Sequence, residues 1–212
     1  MKKIPRTIVD NAMSYAAYRE LIDRRFVDGE TTGTDHSEAM LDYTHLNISR
    51  MRRLDKTVRL DEDTLEQLDL IQQPMIWLVL TEGWCGDAAQ IIPVLNHMAH
   101  ENEKIELKLI LRDQHLDIMD AFLTKGGRSI PKLIFLDAET LEVIGDWGPR
   151  PVIPQQKVMD AKDHTQSIAD PSERKSYNEE VKKEVQLWYA KDKTKSIQRE
   201  VMEVLQKQIT VS

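Results

Sequence analysis

A single thiol, Cys85, is the one strong nucleophile this chain offers, and it sits in the segment TEGWCGDAAQ. Six apolar residues, Met75–Leu80, precede that segment and a helical pattern follows it, so the sulfur falls where a strand hands over to a helix. A thiol there faces free backbone N–H groups and the positive end of a helix dipole, and both stabilise the thiolate that sulfur chemistry requires. A lone cysteine is also a common small core residue. Gly83 and Gly86 flank the Trp84-Cys85 pair and leave little side-chain cover, which favours an accessible sulfur. Asp87 in the first helical turn suits the helix dipole but opposes a nearby thiolate. With no second cysteine, no disulfide can close within the chain. The six histidines form no ligand cluster, since His97 and His100 are spaced i, i+3 without a Cys or Asp partner pattern. No metal or cofactor is therefore expected, and neither a phosphate-cradling glycine motif nor a GxSxG elbow is present.

The elements that must hold Cys85 fall into three parts. Of the sixteen glycines and prolines, twelve lie between Pro74 and Pro154, so turns concentrate there. The net charge of −7 divides as +1 over residues 1–56, −9 over 57–154 and +1 over 155–212. An acidic middle repels phosphate backbones, which disfavours nucleic acid or an anionic membrane as partner. The longest apolar runs, such as Ile76–Leu80, are far short of the ~20 residues that span a bilayer. The basic start lacks a long apolar stretch, so no secretory signal is expected.

The middle alternates between periods. Thr57–Leu60 reads as a short strand, Asp61–Ile71 as a helix with Leu65, Leu68 and Ile71, and Met75–Leu80 as a strand buried on both faces. Ala88, Ile91, Ile92, Leu95 and Met98 form a helical stripe, Ile105–Leu111 a strand, and Leu116–Leu123 a helix. Lys132–Leu136 and Glu142–Trp147 read as a hairpin. Strands alternating with helices imply an α/β fold with a central mixed sheet flanked by helices. N-terminal helices are expected over Asn11–Phe26 and from an N-cap at Ser37 to about Leu54. The RMRR run at Arg50–Arg53 then reads as a salt-bridged helical face, with contact to an anion or an acidic peptide as the alternative. After Pro154, Asp170-Pro171-Ser172-Glu173 forms a capping box. Tyr177, Val181, Val185 and Trp188, then Ile197, Val201, Val204 and Leu205, make two apolar stripes that predict helices packed on the core.

Several of these motifs together resemble the thioredoxin family. WCGDAAQIIPVLNHMA is similar to its active-site segment, with Trp, Cys and Gly in place and Pro93 inside the helix. LKLILRDQH resembles the next strand, and SIPKLIFLDAETLEVIGDWG the isoleucine–cis-proline step and the two closing strands. The resemblance covers residues 57–150 and implies a thioredoxin-like fold, with helical extensions at 1–56 and 151–212. It also implies that Cys85 is the nucleophile, Trp84 a groove wall, and Pro131 a cis-proline facing the sulfur. Gly86 and Asp87 would complete the groove, and the Ile130 backbone would pair with an extended substrate. Arg128, three residues before Pro131, is a candidate thiolate stabiliser.

The departures define the expected chemistry. Where the family has its second cysteine this chain has Ala88, and where it keeps a buried acid this chain has Val79. Release of a mixed disulfide then needs an external thiol. The expected activity is single-thiol redox chemistry with protein or low-molecular-weight thiols and disulfides, in a cytoplasmic, bacterial-type protein. A non-catalytic peptide-binding module is the alternative. Cluster binding by a pair of chains, as in monothiol glutaredoxins, fits less well: Ala88 stands where those have serine, and Asp87 where they have phenylalanine.

Overall fold

The computed structural model describes residues 2–209. Its centre is a four-stranded sheet, β1 (Met75–Thr81), β2 (Ile105–Leu111), β3 (Lys132–Asp137) and β4 (Val143–Trp147), in the order β2-β1-β3-β4. β1 runs parallel to β2, with Val79 opposite Leu109, and antiparallel to β3, with Val79 opposite Leu133. β3 and β4 pair antiparallel with an irregularity between Phe135 and Leu136. Every residue of β1 is buried, as a central strand covered on both faces requires.

Nine helices surround this sheet among the described residues. Those before β1 are α1 (Arg6–Asp10), α2 (Tyr15–Val27), α3 (Glu38–Thr57) and α4 (Glu62–Asp69). Between the strands lie α5 (Ala88–His100) and the single turn α6 (Leu116–Met119). After β4 come α7 (Val152–Thr165), α8 (Pro171–Asp192) and α9 (Lys195–Ile209). α5 packs on α3, β2 and α9, and α9 also packs on β4. The two extensions thus share one core with the sheet. Ile22 and Met51 from the first, and Val185, Ile197, Val201 and Leu205 from the second, are buried in it.

Four expectations change. Thr57–Leu60 is not a strand: α3 continues to Thr57, and Val58 anchors an irregular link by burying its side chain. The sheet edge is instead met by single bridges from the N-terminal segment, Met13 with Leu109 and Lys3 with Glu142. α2 starts at Tyr15 because Ser14 caps it, its side chain accepting from the Ala17 N–H. The helix expected over 116–123 ends at Met119. On α8, Val181 and Val185 are buried as the stripe predicts, but Tyr189 rather than Trp188 completes the buried face.

Candidate functional site

β1 delivers Cys85 to the start of α5 through a tight turn in which the Cys85 N–H donates to the Glu82 carbonyl at 3.1 Å. The N–H groups of Ala88 and Asp87, at the helix start, favour the thiolate form of that sulfur. Across from it, the peptide bond between Ile130 and Pro131 is cis. The Cys85 Sγ–H donates to the Ile130 carbonyl at 3.4 Å. The turn, the helix start and the cis-proline loop thus meet at one sulfur.

The sulfur is not open. Cys85 is only 8% exposed, and burial together with the neighbouring Asp87 carboxylate pushes its thiol up to about 12, against the pull of the Ala88 N–H and of Arg150. This corrects the expectation of an accessible, readily ionised thiol. Desolvation penalises a thiolate more than one helix start can repair. Asp87 is also buried, rather than turned to water. Its Oδ2 pairs with Arg150 Nη2 at 2.7 Å, and its Oδ1 accepts from the Tyr189 hydroxyl at 3.0 Å. Burial still raises the Asp87 carboxyl above its ordinary value, although Arg150, Tyr189 and Arg50 all favour the charged form. Burial works against the Arg150 charge, but Asp87 and Tyr189 outweigh it and raise its pKa.

Arg128 does not serve the thiol. Its guanidinium is exposed and holds Asp120 through two bonds, at 2.6 and 2.8 Å. Arg150, which follows β4, is the cation that acts on Cys85. Trp84 is half-buried, with the Arg112 guanidinium 4.9 Å from its ring centre. Gly86 lies under the extensions: a Cβ there would come within 3.3 Å of Gln186 on α8 and 3.4 Å of Arg50 on α3. Asn47 of α3 donates to the Gly83 carbonyl at 3.0 Å. Helices outside the central sheet therefore pack on both glycines that flank the Trp84-Cys85 pair.

Glu82, three residues before Cys85, has no exposed surface. It accepts from the Asp113 N–H at 3.0 Å and from the Thr32 hydroxyl, and burial raises its carboxyl. Its place directly after a strand buried on both faces was the sequence signal for a buried acid. Arg150 and Tyr189 had no such local signal. Among the described residues, no group of three or more His, Cys, Asp or Glu is placed to hold a metal. No helix among them is long and apolar enough to cross a membrane.

A family model described as thioredoxin matches residues 33–166, more than half of the chain. The crystal structure of a protein of unknown function from Pseudomonas aeruginosa is similar at 18% identity and a TM-score of 0.59, over 98% of this chain and 99% of that one. An HIV epitope scaffold is similar at 21% identity and a TM-score of 0.52, over 71% of this chain and 79% of its own. At such identities the likeness is one of fold. No curated protein matches the chain.

Proposed function

The chain belongs to the thioredoxin family, and from that premise we propose that it is a single-thiol redox protein whose Cys85 rests protonated under a cover of α8 and Arg150. The observation that carries this reading is the sulfur's position: a helix start behind it, and the carbonyl before a cis-proline 3.4 Å in front. Such a site binds an extended chain at Ile130 only when the thiol gives up that carbonyl.

When the cover opens, water takes the Cys85 proton and the thiolate attacks a disulfide R–S–S–R′. A Cys85–S–S–R bond forms and R′S⁻ leaves. A low-molecular-weight thiolate R″S⁻ then attacks the R sulfur, releasing R–S–S–R″ and restoring the Cys85 thiolate. Ala88 cannot do this second step, so the partner must supply the sulfur. Its partners would be protein or low-molecular-weight thiols and disulfides of a reducing bacterial cytoplasm, where an unpaired thiol persists.

With the thiol at about 12, the thiolate near neutral pH is about three orders of magnitude scarcer than for a free cysteine at ~8.5. Reaction of the native protein with dithiodipyridine should therefore be slow and climb about tenfold per pH unit towards 12. Tyr189→Ala should speed it by loosening the cover. If Cys85 reacts only at the rate of global unfolding, and Tyr189→Ala leaves that rate unchanged, the thiol is structural and the redox reading fails. The peptide-binding alternative needs the same opening but no thiolate. Retention of an extended peptide by Cys85→Ser, with no disulfide exchange by the parent, would favour it.

A further inference from the structure

A cavity of about 490 Å³ lies between the end of α3, the α8–α9 turn and α5, and the cis-proline is not among its lining residues. That volume is within the roughly 300–1,000 Å³ of small-molecule sites. Four cations line it: Arg53 and Arg59 from one side, Lys193 and Lys195 from the other. This is unexpected in a chain with net charge −7.

About half of the other cations have a carboxylate partner, including Arg19 with Asp55, Arg52 with Asp23, Arg128 with Asp120 and Arg150 with Asp87. The four at the cavity have no carboxylate within salt-bridge reach among the described residues. Arg59 donates only to the Lys56 and Val58 carbonyls, and Arg53 only to Gln90 at 3.4 Å. One carboxylate, Asp61, lines the cavity, and its Oδ1 already accepts from the Thr64 N–H to cap α4. The remaining polar walls are also engaged: Gln198 donates to the Arg59 carbonyl and to the Thr194 hydroxyl, and Gln90 donates to Gln186. What the cavity offers a ligand is positive charge, carried on four solvent-exposed side chains.

The turn that presents the two lysines is held in an unfavourable backbone. Lys193 and Thr194 have φ of 52° and 69°, two successive left-handed residues without a glycine. Lys193 ends α8 as its left-handed cap, and a second left-handed residue without a glycine is uncommon and gathers at ligand sites. Leu54, Leu60, Ile197 and the Tyr189 ring add apolar wall beside the cations.

We propose that this cavity binds a small molecule carrying a phosphoryl or diphosphoryl group on an apolar body. Four cations against one carboxylate leave an excess of three positive charges, which a multiply charged phosphate neutralises and a single carboxylate does not. The apolar wall suits the rest of such a ligand. The cavity shares Tyr189 with the surroundings of Asp87, but the proposal does not depend on Cys85 chemistry.

Calorimetric titration of the Cys85→Ser protein with inorganic phosphate, pyrophosphate and citrate at constant ionic strength tests it. Pyrophosphate should bind at one site more tightly than phosphate, and its binding should weaken as sodium chloride is added. Lys193→Gln/Lys195→Gln should lower the affinity about tenfold or more, and Arg59→Gln should lower it independently. Lys175→Gln, outside the cavity, should leave it unchanged. Absence of binding, binding unmoved by the cavity variants, or citrate binding more tightly than pyrophosphate would each overturn the proposal. Using Cys85→Ser keeps this result independent of any failure of the redox reading.

Discussion

Removing Arg150 strips Asp87 of its ion-pair partner while leaving the carboxylate buried. The two side chains are 11% and 17% exposed and meet at 2.7 Å. At the effective dielectric of such sites the attraction is about 4 kcal/mol, and breaking a buried pair from one side costs ~3–5 kcal/mol. Arg150→Met should therefore lower the melting temperature by about 10 °C or more for a chain of this size. The loss must depend on pH in a definite direction. Burial already raises the Asp87 carboxyl, and losing Arg150 raises it further. A carboxyl raised in the fold favours the fold in its protonated form, so the penalty is full above the raised value and shrinks as the pH falls through it. Urea unfolding of parent and variant, followed from about pH 8 down to about pH 4, reads this as a narrowing gap in midpoint. Asp87→Asn/Arg150→Met, which removes both charges, should recover most of the loss at neutral pH. A penalty under about 1 kcal/mol, as for an exposed pair, or one equal at every pH, would refute the buried-pair account.

Three further outcomes follow from particular contacts. Gly148→Ala should destabilise the fold by at least ~2 kcal/mol, read by thermal melting: φ is +113° and the new Cβ would stand 2.5 Å from the Pro131 carbonyl oxygen. An unchanged melting temperature would show that the loop after β4 does not press on the cis-proline. Ala88→Cys should form an internal disulfide with Cys85 on mild oxidation, because the two positions are one helical turn apart at the start of α5. Two titratable thiols after oxidation would show that the cover holds Cys85 on Ile130 instead. Truncation after Pro154 removes Val181, Val185, Tyr189, Ile197, Val201 and Leu205 from the core. Each is worth about 1.5–3 kcal/mol against a net stability of ~5–15 kcal/mol, so insoluble or non-cooperatively unfolding protein is expected, and a soluble truncation melting like the parent would contradict it.

The sheet was legible because its signals are local. Met75–Leu80 is an unbroken apolar run and becomes the fully buried β1, and Ile105–Leu111 matches β2 residue for residue. Thr57–Leu60 misled because Thr and Val favour strands only where a neighbouring strand is in register; here α3 reaches Thr57 and Val58 packs as an anchor. Within the helical extension expected over 151–212, the sequence does not delimit α7: VIPQQKVMDAKDHT has no sustained apolar period, and only Pro154, Ala161 and Thr165 are buried.

The thiol's immediate surroundings were legible to the same depth and no further. Trp84, Cys85, Gly86 and the Ile130-Pro131 step lie within short motifs, and the fold brings the two motifs to one sulfur. Whether that sulfur can ionise is decided by residues no motif contains. An aspartate in a first helical turn reads as a solvated cap; Asp87 is buried because Tyr189, 102 positions later, and Arg150, beyond β4, fold over it. After Tyr177, Val181 and Val185, helical spacing admits either Trp188 or Tyr189 as the next buried residue, and only packing chooses. Choosing tyrosine puts a hydroxyl on Asp87, whose carboxylate together with burial raises the Cys85 thiol. In this chain the motif supplies the position of the thiol, while Arg150 and Tyr189, which lie outside every motif, complete the buried surroundings of the Asp87 carboxylate beside it.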